Sequence, residues 1–71
     1  MTNLPEAFVT ITHGVRGYFS VLLVQDDEGH VPWNSGQFSY STERECEADA
    51  ALWAKAEDVP FIHPEELRNE H

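Results

Sequence analysis

The sequence predicts an α+β fold: a three- to four-stranded antiparallel meander packed on one face by a single long C-terminal helix, with room for a short terminal helical turn. Alternating β-branched and aromatic residues predict the sheet over residues 7–41. An alanine-rich segment with a start signal predicts the helix over residues 42–58. With 71 residues, the chain suits one domain with a thin core. We expect residues 1–6 to be a loose leader and residues 59–71 a C-terminal segment.

Two strands are predicted at residues 8–13 and 18–25. In the first, alternation places Val9 and Ile11 on one face and Phe8 on the other. The reversal between the strands contains two glycines, at positions 14 and 17, which tolerate positive φ angles. The second strand ends in a continuous apolar run, which indicates a central place in the sheet. The polar stretch at residues 26–29 then predicts a turn.

The sequence pattern that indicates secondary structure is weaker after this turn. Pro32 cannot donate a hydrogen bond to a neighbouring strand, so residues 31–33 predict an edge strand or an irregular segment. Whether residues 30–34 form a strand stays open at this stage. Residues 37–41 alternate cleanly, with Phe38 and Tyr40 on one face, and they predict another full strand.

The helix has a clear start and a narrow apolar face. Thr42 is a suitable N-cap, and Glu45 three residues later completes a capping box. We expect the buried stripe to be mostly small, with Trp53 as its main large side chain. The stripe consists of Cys46, Ala50, Trp53 and Ala54. Pro64, followed by two glutamates, predicts one more helical turn.

The charge balance favours protein partners over nucleic acid. Thirteen acidic residues against four basic ones give a net charge of −9, which opposes direct contact with phosphate backbones. No apolar run is long enough for a membrane span, and a single cysteine excludes an intrachain disulfide; both favour a cytoplasmic protein. The same acidity could serve solubility alone. The acids that we expect to meet a basic partner are Asp26, Asp27, Glu28, Glu43, Glu47, Asp49, Glu57 and Asp58.

The sequence gives no catalytic, cofactor-binding or metal-binding pattern. The four histidines lack metalloprotease or zinc spacing, and the acids near Gly29 lack the spacing of a calcium loop. Cys46 near the helix start could be a reactive thiol, but it falls on the predicted buried stripe. We therefore expect no cofactor and no enzyme activity.

Residues 18–58 carry a resemblance to small bacterial and phage proteins. The matching segments read YFSVLLVQDDEGH, QFSYST and ERECEADAALWAKAED. This hairpin followed by a capped helix is similar to the strand–strand–strand–helix half of HicB-type antitoxins. Those proteins usually carry a separate DNA-binding module, for which 71 residues leave no space. The resemblance implies the fold and a role in neutralising another protein.

Three functional hypotheses follow. The first is a small acidic, non-enzymatic protein-binding module that neutralises or inhibits a basic or nucleic-acid-handling partner, with no direct contact to nucleic acid or membrane. The second is an assembly protein that self-associates, as a homodimer, through its sheet face or edge. The third is an enzyme or reactive-thiol protein acting through Cys46. Salt separates the first two, because charge-led binding weakens at high ionic strength and apolar self-association does not.

Overall fold

The computed structural model describes residues 4–68, so residues 1–3 of the expected leader lie outside the described residues. Three antiparallel strands form one sheet in the order β1 (Ala7–Gly14), β2 (Gly17–Asp26) and β3 (Gly29–Ser35). Helix α1 (Glu43–Ala56) packs on one face, and the short helix α2 (Pro64–Arg68) follows. The α+β prediction is thereby confirmed, and the open segment at residues 30–34 is a strand.

Strand β2 is the centre of the sheet. Its antiparallel register with β1 runs from Ala7 opposite Val24 to Gly14 opposite Gly17, as the predicted hairpin requires. Its other edge pairs with β3, from Asp26 opposite Gly29 to Val21 opposite Ser35. Because β2 is covered on both edges, its long apolar run lies in the interior of the sheet.

Strand β3 contains a bulge at Trp33. Leu22 pairs with Asn34 while Leu23 pairs with Pro32, so Trp33 has no partner of its own on β2. A bulge breaks the two-residue alternation of side chains and twists the strand locally. Pro32 and Trp33 consequently both line the sheet face that points away from α1.

The full strand predicted at residues 37–41 is wrong. The segment makes one isolated bridge, in which Tyr18 and Tyr40 exchange backbone N–H···O bonds of 2.8 Å in each direction. The physical reason is that β3 already occupies this edge of β2 as far as Val21, which leaves only four residues of β2 beyond the paired stretch. Gly36 donates to the Ser20 carbonyl, and the chain then loops out before Tyr40 returns to the sheet.

The core lies between α1 and the sheet. Its buried residues are small on the helix and large on the strands: Cys46, Ala50 and Ala54 face Val9, Ile11 and Leu22. The expected stripe is thus correct for the small residues. Trp53 is different, because it is only half-buried and packs at the margin of the core. The helix approaches the sheet closely because its contacting side chains are short.

Both ends of α1 are capped by side chains or backbone in recognisable motifs. At the start, the Glu45 amide donates to Oγ1 of Thr42 (3.3 Å), and the Thr42 and Ser41 hydroxyls donate to the Glu45 carboxylate. The predicted capping residues are confirmed. At the end, Asp58 adopts φ = 59°, its amide donates to the carbonyl of Lys55, and the next amide reaches Ala54. This is a Schellman motif with aspartate at the left-handed position.

The segment after α1 completes the other edge of the sheet. Phe61 forms a parallel bridge with Val9, in which the Val9 amide donates to the Pro60 carbonyl and the Ile62 amide donates to Val9. Phe61 points into the core, and the Ile62 carbonyl accepts a 2.6 Å hydrogen bond from the Thr10 hydroxyl. At the start of β1, the Glu6 and Pro5 carbonyls accept hydrogen bonds from residues of β2 and β3.

Replacing Asp58 by glycine should stabilise the protein by about 0.5–1 kcal/mol. Glycine adopts the left-handed conformation without steric cost, and the change removes a carboxylate from the negative end of the helix dipole. Urea denaturation measures the effect.

The matched control is Asp58→Ala, which removes the same charge but keeps a Cβ at φ = 59°. We expect this variant to be less stable than the glycine variant. Equal gains from both substitutions would mean that charge, and not backbone conformation, limits stability here.

Candidate protein-interaction surface

Two apolar hollows lie on either side of the last residues of β3. The outer groove, of about 700 Å³, lies on the sheet face opposite α1. The side cleft, of about 440 Å³, lies between the end of β3 and α1. Asn34 and Ser35 line both hollows, so they are neighbours around the end of one strand. The outer groove is built mainly from Phe19, Val21, Leu23, Pro32, Trp33 and Leu67.

Large apolar side chains are exposed around this strand end. Trp33 is 71% exposed, Phe38 65% and Leu52 68%. Phe38 and Leu52 line the side cleft together with the half-buried Trp53, while Trp33 lines the outer groove. We call these four side chains the β3 rim. Tryptophan and aromatic residues are the types most enriched at the centres of protein interfaces.

Local backbone features put Trp33, Phe38 and Leu52 outside the core, whereas Trp53 packs at its margin. The bulge breaks the two-residue alternation of side chains at Trp33. The loop at residues 37–39 places Phe38 outside the paired part of the sheet. Leu52 follows the buried Ala50 by two residues, which turns it about 200° around the helix axis. No folding contact in the core therefore accounts for the exposed size of these side chains.

The side cleft has one acidic wall. Asp49 lines it beside Trp53, and the Asp49 carboxylate is close to the hydroxyl of Tyr40. Partial desolvation, followed by the hydrogen bond and charge of Asp49, raises the pKa of Tyr40 above its ordinary value. Tyr40 consequently stays a neutral hydroxyl that can donate to the carboxylate. The cleft thus has a mixed lining, in which Phe38, Leu52 and Trp53 lie near the Asp49 carboxylate.

The sequence-predicted acids do not form one surface. Asp26, Asp27 and Glu28 are exposed at the β2–β3 turn, where the Glu28 amide donates to the Asp26 carboxylate (2.8 Å). Glu57 and Asp58 form the C-terminal cap of α1. Because the chain leaves α1 towards the beginning of β1, these five acids lie towards the same end of the sheet.

Glu43 and Glu47 lie at the opposite end of α1 and face the C-terminal segment. Nε2 of His63 lies 3.1 Å from Oε2 of Glu47 and 3.6 Å from Oε1 of Glu43. Both carboxylates are therefore partly engaged within the protein and are poorer candidates for an outside partner. Asp49 is the predicted acid that lies directly beside the β3 rim.

The charge pattern of the sequence identified the acidic residues, but it did not identify the apolar side chains of the β3 rim. Leu52 could have been identified, because a helical projection places it opposite the small stripe. Trp33 and Phe38 could not, since the bulge and the loop depend on pairing between distant strands. His63 was also missed: its approach to Glu43 and Glu47 requires the chain to return along β1.

Other kinds of site receive little support from the geometry. Within residues 4–68, no group of three or more His, Cys, Asp or Glu side chains is arranged to hold a metal ion. In the same part of the chain, no helix is long and apolar enough to cross a membrane. Cys46 is fully buried, and burial, followed by the nearby Asp49 and Glu43 carboxylates, raises the pKa of its thiol. The reactive thiolate is therefore disfavoured.

Native Cys46 should react with iodoacetamide at pH 8 at least about a hundredfold more slowly than in urea, because the thiol must become exposed by unfolding before it ionises. Mass spectrometry of the labelled fraction over time measures the ratio. Labelling at comparable rates in both conditions would contradict the packing role and revive the thiol hypothesis.

Comparison with protein-family models, known proteins and solved structures finds no match to this chain. The likeness to HicB-type antitoxins therefore rests on the sequence pattern of residues 18–58 alone.

Proposed function

We propose that this chain is a small, acidic, non-enzymatic protein-binding module of the cytoplasm. It binds a protein with a basic surface, such as one that handles nucleic acid, and neutralises or inhibits it. The observation that carries the proposal is the β3 rim: Trp33, Phe38 and Leu52 are exposed around one strand end beside the carboxylate of Asp49.

The shape of the rim supports a protein as the occupant. The two hollows meet at Asn34 and Ser35, so an apolar side chain of a partner can enter each hollow from the two sides of β3. Both hollows are open and shallow, which suits a protein surface better than an enclosed small molecule. Buried aromatic anchors of this kind supply most of the energy at protein interfaces.

Charge supports a basic partner. The whole chain carries −9, and the acids at the β2–β3 turn and at the end of α1 strengthen the negative field around the molecule. Such a field accelerates encounter with a positively charged surface and repels nucleic acid itself. In this proposal, acids such as Asp27 and Glu57 steer the partner, and the rim holds it.

Self-association is the second candidate, and the free edge of β3 favours it. Among the described residues, no strand pairs with the outer edge of β3. Pro32 interrupts that edge, and a net charge of −9 on each copy opposes dimer formation. Sedimentation at micromolar concentration decides this point: a monomer removes the second candidate, and a dimer would favour it over the first.

Partner capture from host lysate at about 50 and 500 mM salt tests the main proposal. We expect a basic protein to bind the immobilised chain and to bind less at high salt. With that partner purified, the double variant Trp33→Ser/Leu52→Ser should weaken binding by about thirtyfold or more, since both side chains act as anchors.

Val15→Ser is the matched control, because Val15 is fully exposed on the β1–β2 turn and lies outside the rim. Its affinity should equal that of the original chain. Absence of a partner at both salt concentrations, or equal losses in the control and the double variant, would refute the proposal.

A further inference from the structure

His63 connects α1 and α2 through a single imidazole ring. On one side, Nε2 lies 3.1 Å from Glu47 and 3.6 Å from Glu43, both on α1. On the other side, Nδ1 accepts a 3.2 Å hydrogen bond from the backbone amide of Glu65, the second residue of α2. The ring thus caps the N-terminus of α2 while contacting α1.

These contacts assign one neutral tautomer. A backbone N–H can only donate, so Nδ1 must carry a lone pair and no proton. The single proton of the neutral ring is then on Nε2, on the side that faces the two carboxylates. A proton on Nε2 also leaves no lone pair there for a metal ion.

Protonation of the ring strengthens the contacts of Nε2 and removes the hydrogen bond at Nδ1. The contacts with Glu43 and Glu47 strengthen, because the imidazolium is positively charged. The cap is lost, because the new Nδ1–H points at the Glu65 amide and two donors then face each other. A positive charge at the beginning of α2 also opposes the helix dipole.

Among residues 4–68, the titratable groups around the ring come from both helices and from the strands. The acids nearest the ring are the two on α1 and, on α2, Glu65 and Glu66, whose side chains are exposed. From the strands, His13 and Tyr18 line a neighbouring hollow with Glu43 and Pro64. The ring edge of Phe61 packs at 6.4 Å between centroids and carries no charge.

α2 depends on this cap more than a long helix would. It has five residues, too few for independent stability. It packs against β1, and its Leu67 forms one wall of the outer groove opposite Trp33. When the cap is lost, the ring stays with the glutamates of α1, and only the packing against β1 still holds α2 in place.

We propose that His63 is a pH-sensitive latch: the neutral ring caps α2 and holds it beside β1, and the protonated ring keeps its α1 glutamates and releases α2 from the outer groove. Acidification thereby uncovers the groove wall that Leu67 provides. This inference is independent of whether the β3 rim binds a partner.

Nuclear magnetic resonance tests the latch on the intact chain. At pH 7.5, the imidazole ¹⁵N shifts should report the Nε2–H tautomer of His63. Between pH 7.5 and pH 5.5, the exchange protection of the Glu65 amide, corrected for the intrinsic effect of pH, should fall about fivefold, as loss of one cap implies. Binding of the apolar dye ANS should rise over the same interval, because the groove opens.

His63→Asn is the decisive variant, since an asparagine oxygen can cap α2 but does not titrate. Its Glu65 protection and ANS binding should not change with pH, while the control His13→Asn should behave like the original chain. An Nδ1–H tautomer, unchanged protection or dye binding in the original chain, or the same pH response in His63→Asn would each overturn the latch.

Discussion

The close contact between α1 and the sheet is the constraint on which the rest of the structure depends. Cys46, Ala50 and Ala54 are essentially inaccessible to solvent, although none of them is large. The bulk of the core comes from the strands, chiefly from Val9, Ile11 and Leu22. Since protein interiors are densely packed, a helix with such short contacting side chains must lie near the sheet, and little space remains between them.

This geometry explains where the large side chains are. The thin core between helix and sheet leaves Trp53 only a marginal place, while Trp33, Phe38 and Leu52 lie outside it and are exposed. Exposed apolar side chains in contiguous groups are uncommon on monomers and mark interaction sites. The same thin core makes the C-terminal segment important, because Phe61 and the strand-like pairing around Val9 close the edge of β1.

Local signals in the sequence were sufficient to predict most helices and strands, but not how these elements pack and pair with one another. The β1–β2 hairpin, the Thr42 cap and Pro64 at the start of α2 follow from residue types at short range, and all three are present. The strand expected at residues 37–41 failed because β3 occupies that edge of β2 from Val21 to Asp26, which is a competition between distant segments. The bulge at Trp33 and the contacts of His63 depend on tertiary structure in the same way, so the sequence predicted the acids of the candidate surface but not the positions of its exposed apolar side chains.

One comparison of stabilities tests the close helix–sheet contact most directly: urea denaturation of Ala50→Leu against Ala51→Leu. The two residues are neighbours on α1, but Ala50 is buried against the sheet and Ala51 is exposed. Leucine at position 50 should overpack the contact and cost about 1–3 kcal/mol, while leucine at position 51 should change stability by less than about 0.5 kcal/mol. Equal stability of the two variants would contradict the account, because it would mean that space remains between α1 and the sheet.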